Sequence, residues 1–263
     1  MHASELLPRY EFARQVANEA GRLTLDYYQR DDLAVEFKGD SSPVTVADRG
    51  AEELLRKRIA AEFPEDAILG EEFGEQPGTS GYRWILDPID GTKSFVHGVP
   101  LYGTLVAVEH QQRSVIGVIE IPALKECVYA AAGQGTWHVR SGEPPRRAEV
   151  SQCDRLADAL VLTSEAYCRL PSRHEAIGQI QQAAHINRTW GDCYGYLLVA
   201  TGRAEVMIDP IMALWDVAAL QPILEEAGGS LTNWHGNPTI YSSEAVATNG
   251  RVMEEVLAFT RGA

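Results

Sequence analysis

Apolar positions recur along this chain with two different periods. Ala13, Val16, Ala20, Leu23 and Tyr27 follow one another at helical steps, so they predict a long amphipathic helix from about Pro8 to Gln29. Asp48 to Phe63 repeats the pattern with Ala51, Leu55 and Ile59, and Pro64 ends it. Short strand-like runs come next, at 67–69, 83–86, 104–108, 115–121, 126–131 and 136–139. Strands in such a series predict a largely antiparallel sheet, covered by the two early helices. The polar segment Gly142-Glu143-Pro144-Pro145-Arg146-Arg147 reads as a connection. Beyond it the two periods alternate. Strands are expected at 159–162 and 206–209, and helices at 172–184, 193–201, 215–227 and from about Arg251. Glycines close two of these helices, Gly202 one and Gly228-Gly229 the other. The chain therefore divides into an α+β part, residues 1–145, and an α/β part, residues 146–263, α/β in class overall.

Composition narrows the partners. The 263 residues are 45% hydrophobic and carry a formal charge of −14, which suits a folded chain with a sizeable core. That acidity argues against a nucleic-acid partner, which needs a basic face, and against an anionic membrane surface. The stretch from Phe95 to Val108 is too short and too interrupted to span a bilayer. The charged N-terminus does not read as a signal peptide. Cys127, Cys153, Cys168 and Cys193 lack C-x-x-C spacing and read as reduced thiols of a cytoplasmic protein.

The chemistry sits where strands give way to turns or helices. Acids stand at four such places: Gly70-Glu71-Glu72, Asp87-Pro88-Ile89-Asp90-Gly91-Thr92, Trp215-Asp216, and Thr45-Val46-Ala47-Asp48. With no His or Cys among them, an all-oxygen site selects Mg²⁺, Mn²⁺ or Ca²⁺. Asp87 and Asp90 flank a tight turn, so both carboxylates can enter one pocket, and the Ile89 carbonyl can be aimed at a metal. Gly91 and Thr92 offer backbone N–H groups for a phosphate. Two metals about 4 Å apart need a shared carboxylate, and Asp87 is placed for that. Each piece also has a plain reading: a surface β-turn for D-P-I-D-G, a solvated pair for Glu71-Glu72, helix caps for Asp48 and Asp216.

G-E-E, W-I-L-D-P-I-D-G-T and W-D-V-A-A, in that order, resemble the inositol monophosphatase-like family of Mg²⁺-dependent, lithium-sensitive phosphatases. The resemblance runs from Lys38 and T-V-A-D to Glu226-Ala227-Gly228-Gly229. It implies a layered αβαβα sandwich of the inositol monophosphatase and fructose-1,6-bisphosphatase type, commonly a homodimer. It also implies that Glu71, Asp87 and the Ile89 carbonyl hold one metal and that Asp87, Asp90 and Asp216 hold a second. A third, weaker ion would lean on Glu71. Glu71 and a Thr92 hydroxyl bonded to Asp48 would orient the attacking water, while Gly91, Thr92 and Asp216 would meet the substrate.

Arg188-Thr189-Trp190-Gly191-Asp192-Cys193-Tyr194-Gly195-Tyr196 with Val206-Met207-Ile208-Asp209-Pro210 is similar to the histidinol-phosphatase branch. Histidinol phosphate carries an ammonium and an imidazole, so its pocket wants acids not already on metal. Asp192 and Asp209 are candidates, with Arg188 beside them. Asp192 has a plain reading as well, a helix cap paired with Arg188 on the surface. An inositol or other sugar monophosphatase is the nearest rival. A 3′-phosphoadenosine 5′-phosphate phosphatase would want a basic cluster, and a non-catalytic phosphate binder would not need Glu71, Thr92 and Asp48 together.

Overall fold

The computed structural model describes residues 3–37, 39 and 43–263, with no account of the side chains at 3 and 4. Lys38 lies outside the described residues. The first helix, α1 (Ala3–Leu25), starts earlier than its apolar stripe and carries Pro8 within it. The missing N–H affects only the bond toward residue 4, close to the helix start. The helix ends before Gln29 because Asp26 and Tyr27 fold into turns on the Leu23 and Thr24 carbonyls. A short hairpin, β1 (Val35–Phe37) and β2 (Pro43–Thr45), leads into α2 (Val46–Glu62).

Next come β3 (Ala67–Gly70), β4 (Gly74–Gln76), β5 (Tyr82–Asp90), the one-turn helix α3 (Thr92–Val96), β6 (Gly103–His110), β7 (Arg113–Ile121), β8 (Glu126–Ala131), β9 (Gly135–Arg140) and β10 (Arg146–Arg147). They build an eight-stranded sheet in the order β10-β9-β8-β7-β6-β5-β3-β4. It is antiparallel as expected, except that β3 runs parallel to β5. The remaining elements are β11 (Leu160–Thr163), α4 (Pro171–Ala183), β12 (Ile186–Arg188), α5 (Asp192–Ala200), β13 (Val206–Asp209), α6 (Leu214–Ala218), α7 (Leu220–Glu226), β14 (Ser230–Thr232), β15 (Ala245–Thr248) and α8 (Met253–Thr260). The second sheet has the order β12-β11-β13-β15-β14, with β12, β11 and β13 parallel.

Period-two alternation explains the layers. Trp84, Leu86, Val106 and Val108 face α1 and α2 in one core. Ile85, Leu105 and Ala107 face the other way, into a core with α5, α6, α7 and with Leu162, Met207 and Ala247 of the second sheet. Val161, Val206 and Val246 turn outward onto α4 and α8. Helices, sheet, helices, sheet, helices: the αβαβα sandwich is present. One expected helix, 215–227, is two. Pro222 cannot donate to the Ala218 carbonyl and its ring crowds it, so the chain breaks at Ala219 between α6 and α7.

Candidate active site

Asp-Pro-Ile-Asp is not a surface turn. It ends β5, and Asp87 is only 2% exposed. In a regular strand, residues three apart point to opposite faces. Here the pairing with β6 passes from Asp87–Leu105 to Asp90–Gly103 with a register shift between. Pro88 cannot donate to a ladder, which favours the bulge at that point. Thr104 Oγ1 donates to the Pro88 carbonyl at 2.9 Å, and Ile89 N donates to Asp87 Oδ1 at 3.1 Å. The irregularity brings both acids to one side.

Because β3 is parallel to β5, their carboxyl ends lie side by side. Gly70 pairs with Leu86, and Glu71 N donates to the Leu86 carbonyl at 3.2 Å, so Glu71 leaves β3 next to Asp87. Asp216 arrives from the start of α6. Its Oδ2 accepts from Ala213 N at 2.7 Å, so it serves as a helix cap and also faces the cluster. Carboxylate oxygens of Asp87, Asp90 and Asp216 lie within 4.8 Å of one another.

Such crowding raises carboxyl pKa values. Asp87 is pushed well above the usual range by burial first, then by the charges of Glu71, Asp90 and Asp216. Burial also raises Asp90, helped by Asp192 and Asp216 and opposed by Cys193 N, which donates to Asp90 Oδ2 at 2.5 Å. Asp216 is raised to about 6 by burial, with the Ala213 N–H holding it down. Asp87 shares hydrogen bonds with both Glu71 and Asp216. Carboxyls this close need positive charge between them. Protons supply some, and a hard, oxygen-seeking cation fits the same donor set.

Thr92 and Asp48 do not meet as expected. Thr92 Oγ1 donates to the Ile89 carbonyl at 3.0 Å. Asp48 Oδ2 accepts from Thr45 N at 2.8 Å and Thr45 Oγ1 at 2.6 Å, a capping box at the start of α2. Each group is satisfied three residues away, which costs less ordering than a bond between distant segments. Asp48 is buried and raised to about 6, by burial first, with the Glu72 charge adding to it. Ala47, next to it, packs with Ile89, Phe95 and Tyr102, which holds the start of α2 against the acid-bearing segment.

A second group of acids stands beside the first. The parallel pair β11 and β13 brings Ser164 next to Asp209. Asp209 is buried and engaged: its Oδ1 accepts from Ser164 N at 3.3 Å and its Oδ2 from the Tyr196 hydroxyl at 2.9 Å. Asp192 opens α5 with a φ of 52°, and its N donates to Ser164 Oγ at 2.9 Å. Its carboxylate lies against Gly91, where an added Cβ would stand 2.9 Å from Asp192 Oδ2. Gly91 also has a φ of 83°, so a side chain there would be both strained and crowded. Asp192 is raised to about 7 by burial first, then by Asp209, while Lys93 lowers it. Lys93 itself pairs with Glu165 across the cleft.

Arg188 does not pair with Asp192. It is exposed on β12, and its Nη1 donates to the Asn187 carbonyl at 2.6 Å. Ser164, Glu165 and Lys93 are not marked out by the sequence reading, and Tyr196 enters it only as part of the Arg188–Tyr196 segment. Ser164-Glu165 directly follows the apolar run of β11, the same strand-end position that marks Asp87, and that signal could have found them.

Fold and site together define a metal-dependent phosphatase class built on the αβαβα sandwich, and the chain is an enzyme of that class. The chain belongs to the inositol monophosphatase family, whose model matches residues 5–262. It is 44% identical over 248 residues, 94% of each chain, to a histidinol-phosphatase of Chlorobaculum parvum. It is 38% identical to a histidinol-phosphatase of Mycobacterium tuberculosis, over 93% of this chain and 95% of that one. A solved inositol monophosphatase from Zymomonas mobilis superposes with a TM-score of 0.85 at 30% identity, over 99% of both chains. No described helix is long and apolar enough to cross a membrane.

Proposed function

We propose that this protein hydrolyses L-histidinol phosphate to L-histidinol and phosphate, acting in the cytoplasm as a homodimer. Glu71, Asp87, the Ile89 carbonyl, Asp90 and Asp216 would hold two or three Mg²⁺ ions, for which Mn²⁺ could substitute. The observation that carries the substrate is the second acid group: Asp192, Asp209 and Glu165 gather beside the metal-type cluster. A substrate whose alcohol half is cationic suits that charge, whereas inositol would ask for neutral hydroxyl partners. The greater identity to histidinol-phosphatases agrees.

When bound, the ions would acidify a water, anchor phosphate oxygens and stabilise the departing alkoxide. Glu71, at the edge of the cluster, orients the attacking water. Thr92 Oγ1 spends its proton on the Ile89 carbonyl and keeps lone pairs with which to accept from that water. The first N–H groups of α3, which have no intrahelical partner, grip the phosphate. Asp192 receives the substrate ammonium, and Asp209, held by Ser164 and Tyr196, backs it with charge. Attack is in line, so no nucleophilic side chain is required. Catalysis is positioning plus charge stabilisation. Li⁺ inhibits by taking a metal position.

The test compares kcat/KM for L-histidinol phosphate, myo-inositol 1-phosphate and 3′-phosphoadenosine 5′-phosphate with Mg²⁺. Histidinol phosphate should lead by at least about tenfold, the 1.4 kcal/mol that one modest charge contact supplies. A lead for inositol phosphate would move the protein to the sugar-phosphate branch.

A further inference from the structure

Glu52 is a charged residue with no exposed surface, on the apolar face of α2 one turn beyond Asp48. A buried carboxylate is retained only where it is paired and hydrogen-bonded. Its partners are all on, or reach to, the segment that follows β3. Glu52 Oε2 accepts from Glu72 N at 2.7 Å, and Oε1 accepts from Phe73 N at 3.2 Å. Arg56, one turn further along α2, donates to Glu52 Oε1 at 2.7 Å, and its other nitrogen donates to the Gly74 carbonyl. Gly70 makes the approach possible, since a Cβ there would sit 2.0 Å from Glu52 Oε1.

Glu71 thus leaves β3 with its own N–H on the Leu86 carbonyl, and the two residues after it are held by Glu52. β3 and β4 pair across this turn, Gly70 with Gly74. Glu52 adds a tie from a different element, α2, at the residue next to Glu71. We propose that Glu52, braced by Arg56, is a positioning residue that holds the 71–74 turn so that the Glu71 carboxylate stays in the metal cluster. The proposal rests on the reading of Glu71 as a metal ligand. Groups that orient ligands in this way typically govern metal affinity by about 10- to 100-fold.

The test is Mg²⁺ binding to the chelator-stripped protein by calorimetry, alongside the Mg²⁺ concentration for half-maximal turnover. Glu52→Gln places an NH₂ against one of the two N–H donors and removes the charge facing Arg56. It should weaken Mg²⁺ binding by about tenfold or more, and excess Mg²⁺ should restore much of kcat. Arg56→Gln leaves both N–H bonds to Glu52 in place and should shift Mg²⁺ binding in the same direction by less. It keeps the test open should Glu52→Gln fail to fold. A purely structural role would lower the melting temperature with Mg²⁺ affinity unchanged in the folded variants, and that result overturns the proposal. Glu71→Gln separates the two ideas. Unchanged Mg²⁺ binding in Glu71→Gln refutes the ligand reading itself. Weakened binding there, with none in Glu52→Gln or Arg56→Gln, refutes only the positioning role.

Discussion

The two acid groups of the cleft are built differently. Asp87, Asp90 and Asp216 converge from the bulged end of β5 and the start of α6, and backbone N–H groups from Ile89, Cys193 and Ala213 hold their oxygens. Asp192, Glu165 and Lys93 form the outer group. There a carboxylate sits in a left-handed backbone position and an exposed ion pair spans the cleft. The inner group is fixed by the end of β5 and the start of α6, and under the proposed function it would serve phosphate, which every substrate of this reaction shares. The outer group stands at the margins of elements, Asp192 at the start of α5, Lys93 in the one-turn α3 and Glu165 in the segment after β11, where residues can change with less disturbance of the core. The proposed function thus assigns chemistry to the rigid part and selectivity to its margin.

The strongest way to break that comparison is Asp90→Asn. It keeps the shape and the Cys193 contact but removes one of the proposed anionic ligands. Turnover on every substrate should fall by at least ~100-fold, about 2.7 kcal/mol of transition-state stabilisation. Near-normal turnover at saturating Mg²⁺ would reduce Asp90 to a strand-end residue.

Asp192→Asn should be selective instead. A lost charge-assisted bond of roughly 1.5–3 kcal/mol predicts a 10- to 100-fold drop in kcat/KM on histidinol phosphate. A neutral aryl phosphate should be little affected. Equal losses on both substrates would place Asp192 with the inner group and erase the distinction.

The buried carboxyls of both groups, with Asp48, should set stability against pH. Asp216 and Asp48 have folded values of about 6 and Asp192 of about 7, all above the ordinary 3.8. Raised acids stabilise the fold while protonated. That contribution is complete below about pH 4 and is lost as pH rises through 6 and 7. Chelated protein should therefore melt lower at pH 8 than at pH 5. Mg²⁺ binds the ionised form, so its benefit should grow across the same window. At 100 times its dissociation constant it adds about 2.7 kcal/mol, a rise of roughly 5–10 °C for a chain this long. A Mg²⁺ effect that is flat from pH 5 to 8 would separate the metal from these carboxyls.

The smallest effect is expected at Arg188. Exposed and bonded to its neighbour's carbonyl, it should tolerate Arg188→Ala with less than about a threefold change in kcat/KM, under 0.7 kcal/mol. A tenfold loss on histidinol phosphate alone would bring it into the outer group and redraw that group's limits.

How much of this was legible beforehand depended on distance along the chain. In the first sheet β4 was not expected, and β10 lies in the segment read as a connection. The other six of its eight strands and the helix faces could be read from periodicity, because alternation is a local consequence of backbone geometry. So could the acids at strand ends, since a buried run must hand its next residue to an opening. Even the break before Pro222 is local, though it escaped notice under a continuous apolar stripe. The same stripe hid Glu52, whose place beside Ala51 and Leu55 on a buried face is itself a signal.

Other features depended on the packing of separate elements. Thr92 and Asp48 were expected to bond; instead Asp48 closed the cap of α2 and Thr92 bonded the nearby Ile89 carbonyl. Arg188 and Asp192 lie only a few residues apart, yet one ends on an edge strand and the other in the cleft. Asp87 and Asp216 lie 129 residues apart in the sequence and meet because α6 crosses the end of β5 between the two sheets. Residue types and their spacing determined by themselves that acids would stand at strand ends in a mixed α/β chain, while the layering was implied by the family resemblance. Which of their oxygens hydrogen-bond one another and which are spent on a cap was decided only when the layers closed. A side chain takes the partner of lowest total cost, and long-range partners exist only once the core has brought them within reach.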